Sequence, residues 1–344
     1  MKRRTFLKSS AIAGAGVMAS GVSFGNTGVS SVPVGKRIGI IGLDTSHSTA
    51  FTQSFNRANP LPELDGYRVV AAYPRGSADI YSSVSRIPRF TEEIQRFGVV
   101  IVNSIAELLN ACDKVLLLTN DGRPRLEQVI QVFRAGKTVF LDKPIAGTLT
   151  DAFAVFQAAR DFNQPVFTSS GLRYISNIDE VIKNRAIGDV LGADTWSPCI
   201  LEPTHPDLFW YGVHGVETLF TTMGIGCKTV TRFHMPDHEI VVGEWGDQRL
   251  GTFRGIRAGR IFNYGGTAFG TTGSQSLGTF IGYDPMLKEV VKYFNTGIPP
   301  VTAEETLEIF TFMEAADESK RRGGARVSME ETAQRAQAQV RRTW

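Results

Sequence analysis

Apolar residues along this chain come in short runs separated by turn residues, and the runs alternate in period. Arg37-Ile38-Gly39-Ile40-Ile41-Gly42-Leu43 reads as a buried strand, and Ser48–Ala58 reads as a helix. Further strands are predicted at Tyr67–Ala72, Gly98–Val102, Lys114–Leu118, Thr138–Leu141 and Val166–Ser169. Helices are predicted at Ile105–Asn110, from about Arg123 to Ala135 with Gly136 as its stop, and at Thr150–Asn163. Strands alternating with helices predict an α/β domain, a Rossmann-type parallel sheet with helices on both faces, over residues 36–170. Beyond Gly171 the character changes. Val190–Phe280 is rich in Gly, Thr, Val and aromatics and alternates as in Thr229–His234. That pattern predicts a large, mostly antiparallel open sheet. Helical period returns at Met286–Phe294 and Ala303–Arg321, where Leu307, Phe310 and Ala315 share a face, and the tail 328–344 is polar and helix-prone. Residues 171–344 therefore read as a second, α+β domain.

A length of 344 residues suits two such domains. Four of the 37 basic residues lie before position 36, which leaves 33 against 34 acidic ones. The slight positive balance thus belongs to the N-terminus and gives no nucleic-acid signal. Cys112, Cys199 and Cys227 are too few and too scattered for a disulfide framework. Lys2, Arg3, Arg4 and Lys8 precede an apolar run, Ala11–Val22, which is the pattern of a signal peptide. The run falls short of the roughly 20 apolar residues of a membrane span. Arg3-Arg4-Thr5-Phe6-Leu7-Lys8 resembles the twin-arginine export signal. The expectation is a signal peptide over residues 1–32, a periplasmic mature protein and no membrane anchor.

Gly136-Lys137-Thr138-Val139-Phe140-Leu141-Asp142-Lys143-Pro144 is similar to the Gly-Lys-x-Val-x-x-Glu-Lys-Pro hallmark of the Gfo/Idh/MocA oxidoreductases. Asp113–Thr119, His214-Gly215-Val216-Glu217 and the stretches Tyr283–Leu287 and Ile298–Val301 resemble other segments of that family, over residues 36–328. The resemblance implies a dinucleotide-binding domain joined to an open-sheet substrate domain, a bound NAD or NADP, and a homo-oligomer. It implies hydride transfer on a sugar or polyol, with Lys143 and His214 flanking the substrate. Such a transfer needs a base within about 3 Å and a positive charge near the developing alkoxide. Lys143, His214 and Tyr211 are the catalytic candidates, and Glu217, one helical turn from His214, reads as structural.

Three features depart from the family pattern. The first βα turn, Gly42-Leu43-Asp44-Thr45-Ser46-His47, keeps only the first glycine. Asp44 would oppose a diphosphate, or it caps the next helix together with Thr45 or Ser46, whose N–H groups can still hold an anion. After the second strand, Arg75 and Ser77 replace the acid that binds ribose in NAD enzymes, which favours NADP. Gly42, Asp44, Thr45, Ser46, Arg75, Ser77, Thr119, Asp142 and Lys143 are the cofactor-binding candidates. Trp210 stands where many members carry an Asp, so Asp207 or Glu217 would have to orient His214. Arg123 and Arg125 bind an anionic substrate group or begin a solvated helix. His205 with Asp207, and His234 with His238 and Glu239, lack metal-site spacing, and the one Gly-x-Ser-x-Gly match, Gly21–Gly25, falls within the expected signal peptide. The expected function is an exported NAD(P)-dependent oxidoreductase of a sugar or polyol derivative, its cofactor tightly bound and recycled. The alternatives are a redox-assisted glycoside lyase or hydrolase, and a sugar-binding protein whose cofactor site has decayed.

Overall fold

Residues 32–259 and 263–344 are described by a computed structural model; residues 1–31, which carry the expected export signal, lie outside them. The first half lays down β1 (Arg37–Ile41), α1 (Ser46–Asn56), β2 (Arg68–Tyr73), α2 (Tyr81–Val84) and α3 (Ile87–Gln95). It continues with β3 (Val100–Ile101), α4 (Ile105–Ala111), β4 (Lys114–Leu117), α5 (Arg125–Arg134), β5 (Thr138–Asp142), α6 (Leu149–Asp161) and β6 (Val166–Ser169). All six strands are parallel, in the order β3-β2-β1-β4-β5-β6. The order reverses between β1 and β4, where open α/β sheets form a crevice at the carboxyl ends of their strands. Helices cover both faces, so β1, β4, β5 and β6 are almost continuously buried. The hydroxyls of Thr45, Ser104 and Thr148 cap α1, α4 and α6. Helices α2 and α3 were not expected from the pattern; α3 buries only Phe90 and Ile94.

The second half contains α7 (Ile178–Ile182), β7 (Val190–Pro198), a wide helical turn over Leu208–Gly212, and α8 (Val213–Met223). Next come β8 (Cys227–His234), β9 (His238–Trp245), β10 (Leu250–Ile256), β11 (Gly265–Gly270) and β12 (Gly273–Leu277). The chain ends with α9 (Asp284–Thr296), α10 (Ala303–Arg321), β13 (Val327–Ser328) and α11 (Met329–Ala338). The seven-stranded sheet runs β12-β11-β7-β10-β9-β8-β13, and only β7 and β10 pair in parallel. The expected antiparallel sheet is therefore present, but α8 interrupts the stretch that read as strands. Ten of its eleven residues are buried, because it lies between the second sheet on one side and α10, α7 and the turn Gly171–Tyr174 on the other. A helix buried all round carries no polar stripe to betray its period.

Helix α9 returns to the first domain. Met286, Leu287, Val290, Val291 and Phe294 pack with Ile38, Phe51, Phe140 and Phe167 in one core cluster. The boundary at residue 170 thus marks the end of the parallel sheet, while a later segment completes its core. One face of the second sheet is covered by α8 and α10. The exposed side chains of Phe233, Leu250 and Phe269 alternate in register with the buried positions and lie on the other face. No helix among the described residues is long and apolar enough to cross a membrane.

Candidate active site

The carboxyl end of β5 delivers Asp142 and then Lys143. Across from it, the turn before α8 presents Tyr211, and the first turn of α8 presents His214. With the start of α1, Lys143, Tyr211 and His214 line a cavity of about 460 Å³. Small-molecule sites commonly span about 300–1,000 Å³. Its walls include Thr45, Ser46, His47, Asn120, Lys143, Ser170, Trp210, Tyr211, His214, Tyr264 and Tyr283. Lys143, His214, Tyr211, Thr45 and Ser46, drawn from segments far apart in sequence, are thereby brought together on one cavity.

Burial sets the electrostatics of this cavity. Lys143 is 6% exposed, and its ammonium takes no hydrogen-bond partner among the described residues. Burial pulls its pKa below the ordinary lysine value. Its Nζ stands 5.9 Å from the Tyr211 ring centroid, and that ring lies 5.0 Å from the imidazole of His214. His214 Nδ1 shares a 2.6 Å hydrogen bond with the Ser170 hydroxyl. Burial, and then the nearness of Lys143 and His47, hold the His214 pKa well below 6.5, so this ring stays neutral near pH 7. The Tyr211 and Tyr264 hydroxyls pair at 2.9 Å, and burial raises the Tyr264 pKa. His47 Nδ1 lies 2.6 Å from Asp142 Oδ2. Burial alone would raise Asp142, but His47, Lys143 and Arg125 outweigh it and keep the carboxyl ionised.

A second cavity of about 390 Å³ opens beyond the end of β2, lined by Arg75, Ser77 and Thr119 among others. Asp44 separates the two. It accepts the N–H of Asn120, a wall residue of the first cavity, and a Cβ on Gly76, a wall residue of the second, would lie 2.5 Å from its Oδ2. The Ser83 hydroxyl donates to the same carboxylate, and burial raises its pKa. Asp44 is therefore buried and lines neither cavity, and Asp142 is likewise sealed behind His47. Gly42 is needed for the chain's own packing. It has φ +91, and a Cβ there would stand 2.4 Å from the Thr119 nitrogen.

Arg123 and Arg125, read either as anion binders or as a solvated helix start, are differently employed. Arg125 is fully buried and bonds the carbonyls of Thr119, Asp142 and Lys143. Arg123 pairs with Asp79 and Asp121. Neither Asp207 nor Glu217 orients His214. Asp207 pairs with Arg232 and Lys320, and Glu217 accepts from Ser169 and Arg173. Ser170 does the orienting, and nothing in the pattern of the chain marks it. No cluster of His, Cys, Asp or Glu suited to a metal exists among the described residues.

The surfaces fit a dinucleotide at both ends. The N–H groups of Thr45 and Ser46 begin α1 on the wall of the first cavity and take no partner among the described residues. The Thr119 hydroxyl, on the wall of the second cavity, is buried without a partner. Arg75, exposed beside it, has no ion-pair partner among the described residues, whereas the Ser77 hydroxyl is committed to Asp121.

Residues 36–170 match the profile of the GFO/IDH/MocA family, described as an oxidoreductase family with an NAD-binding Rossmann fold. No curated protein matches the chain in sequence. Among solved structures, scyllo-inositol dehydrogenase from Lactobacillus casei, with bound NAD(H) and scyllo-inositol, is 14% identical with a TM-score of 0.65; the match covers 86% of this chain and 99% of that one. Myo-inositol 2-dehydrogenase from Lactobacillus plantarum is 14% identical, TM-score 0.67, covering 85% and 98%. An oxidoreductase from Thermotoga maritima is 18% identical, TM-score 0.65, covering 86% and 99%. At such identities these likenesses establish the two-domain fold.

Proposed function

We propose that this chain, whose residues 36–170 belong to the NAD-binding Rossmann domain of the GFO/IDH/MocA oxidoreductases, oxidises or reduces a polyol or sugar derivative with NAD(P). The observation that carries the reading is the convergence of Lys143, His214 and the free helix-start N–H groups of Thr45 and Ser46 on one cavity. A bound nicotinamide dinucleotide supplies hydride chemistry there. Thr45 and Ser46 would hold its phosphates, and Arg75 and Thr119 its adenosine end. The chain's own residues bind and polarise the substrate. Lys143 hydrogen-bonds the reacting oxygen, and its charge, unpaired and desolvated, favours the alkoxide over the alcohol. His214, held neutral, fixes a hydroxyl through Nε2. The rings of Trp210, Tyr211 and Tyr283 offer apolar faces to carbon-bound hydrogens and exclude water. Inositol dehydrogenases among the structural neighbours support a cyclitol or sugar as substrate.

The test is to offer purified protein NAD and NADP with a panel of cyclitols and sugars, and to follow the absorbance of reduced nicotinamide. Growth that needs both partners supports the reading; none with any pair rejects it. Arg75→Ala is expected to weaken NADP binding about tenfold to a hundredfold, because a charge-assisted contact to the 2′-phosphate is worth about 1.5–3 kcal/mol. NAD binding should be unchanged. Calorimetry showing tight NAD and no NADP binding to the parent protein would remove the role given to Arg75.

The reading includes export, supported by Arg3-Arg4-Thr5-Phe6-Leu7-Lys8. The periplasm has no free nicotinamide pool, so the cofactor would travel bound and be recycled in place. Changing Arg3 and Arg4 to lysine is expected to leave the precursor in the cytoplasm; an unaltered periplasmic yield refutes the assignment. The reading also includes a second copy on the open sheet face of Phe233, Leu250 and Phe269, which sedimentation would report as a mass above one chain.

A further inference from the structure

His47 stands where a glycine-rich turn carries its third glycine, the one that lets helix pack closely on strand. A ring at this place gives up that packing, yet it is firmly held. It stacks on Phe51 at 5.2 Å, meets Tyr283 edge-on at 4.7 Å, and sets Nδ1 2.6 Å from Asp142 Oδ2. Asp142 Oδ1 accepts the Lys143 N–H at 2.9 Å. One carboxylate therefore fixes both this ring and the backbone that carries Lys143. With Nδ1 committed, Nε2 is neither bonded to the described protein nor sealed from solvent, and His47 lines the first cavity. The ammonium of Lys143 and Nε2 of His214 open onto the same space.

The two histidines differ in what stands behind them. His214 is backed by the Ser170 hydroxyl, a neutral partner. His47 is backed by a buried carboxylate, which stabilises the imidazolium formed when Nε2 takes a proton. The other titratable groups facing it are Lys143, His214 and Tyr283, with Arg125 behind Asp142.

We propose that His47, oriented by Asp142, is the acid–base residue of this cavity. The proposal rests on the oxidoreductase reading and assigns its proton transfer. In the oxidation direction the substrate O–H bond breaks and its proton goes to His47 Nε2. The carbon-bound hydrogen leaves with both bonding electrons to the nicotinamide dinucleotide, and the carbon–oxygen bond becomes double. Lys143 keeps its charge, Asp142 stays ionised, and the imidazolium returns its proton to water.

The experiment compares the parent protein with His47→Ala and Asp142→Asn, using the cyclitol or sugar the parent turns over. His47→Ala is expected to lower kcat about 10²–10⁴-fold, the usual worth of general acid–base help. Nucleotide binding, read by fluorescence titration, should change less than about threefold. Added imidazole should restore part of the rate, which a packing defect would not allow. Asp142 is a positioning residue, so Asp142→Asn should shift the pH profile of kcat and gain nothing from imidazole. A second arm needs no substrate. Nitrogen spectra of isotope-labelled histidines should show His47 as the Nδ1–H tautomer in the parent protein, a preference that should weaken in Asp142→Asn. A parent protein inactive with every pair rejects the oxidoreductase reading, and the spectra then decide on the pair alone. A His47→Ala rate within about threefold of the parent, or a ring fixed as the Nε2–H tautomer, overturns the proposal.

Discussion

Replacing Lys143 with methionine is expected to lower kcat by about 10²–10⁴-fold while leaving the fold intact. The side chain lies at the end of β5 on the cavity wall, and its ammonium makes no hydrogen bond to the described protein. Its loss therefore breaks no hydrogen bond, His47 and Arg125 remain to hold Asp142 ionised, and methionine of similar length fills the space. The pH profile gives an independent check. Burial sets the Lys143 pKa below 10.5, so a reaction that needs the ammonium should fall off on the alkaline side below the range of an exposed lysine. That limb should vanish in Lys143→Met. Combined with His214→Ala, the loss should be much smaller than the product of the single losses, since groups acting on one substrate are not additive. A Lys143→Met enzyme with turnover near that of the parent would remove the residue from the mechanism.

Arg125→Met is expected to act on stability first and on turnover as a consequence. The guanidinium is buried beneath the crevice and bonds the carbonyls of Thr119, Asp142 and Lys143, tying the ends of β4 and β5 together. It also balances the buried carboxylates of Asp142 and Asp44. Burial lowers its own pKa to about 10, and these carboxylates oppose that fall. Methionine fills part of the volume and supplies no donor. Breaking a buried charge constellation by removing one partner costs about 3–5 kcal/mol. Urea denaturation should show a lower midpoint at an unchanged slope. Turnover should drop even well below the transition, because Lys143 hangs from the strand end that Arg125 holds. A loss under about 1 kcal/mol, the scale of an ordinary surface change, would mean that water or backbone adjustment satisfies those carbonyls.

The comparison of pattern and structure turns on particular residues. The parallel sheet was legible because its strands are short apolar runs between helices of regular period, and Lys143 was legible because it follows such a strand within a recognisable motif. The antiparallel sheet was legible from alternation at Thr229–His234. Of helix α8 only the turn spacing His214 and Glu217 was legible, since burial on nearly all sides removed its polar stripe, and one of the site's two histidines lies on it. Asp44, read as facing phosphate, is turned inward to Asn120 and Ser83. Arg125, read either as an anion binder or as a solvated helix start, is buried and holds two strand ends. His47 was visible as a departure from a glycine-rich turn, but its partner Asp142 lies 95 positions away, where no local period reports it.

By itself, then, the sequence determined the α/β class of the first half, the change of architecture near residue 171, and the place of Lys143 at the carboxyl end of a buried strand. Those properties follow from side-chain hydrophobicity and period, which act over a few residues. Only the tertiary structure decided the company each polar group keeps. It set Ser170 rather than an acid behind His214, put a carboxylate behind His47, returned α9 to the first core, and moved Asp44 and Asp142 off the cavity surface. Those outcomes depend on burial and on partners distant in sequence. A buried polar group must find its hydrogen bond wherever the fold supplies one, and the cost of leaving it unpaired, about 1–3 kcal/mol, is felt only once the chain has closed around it.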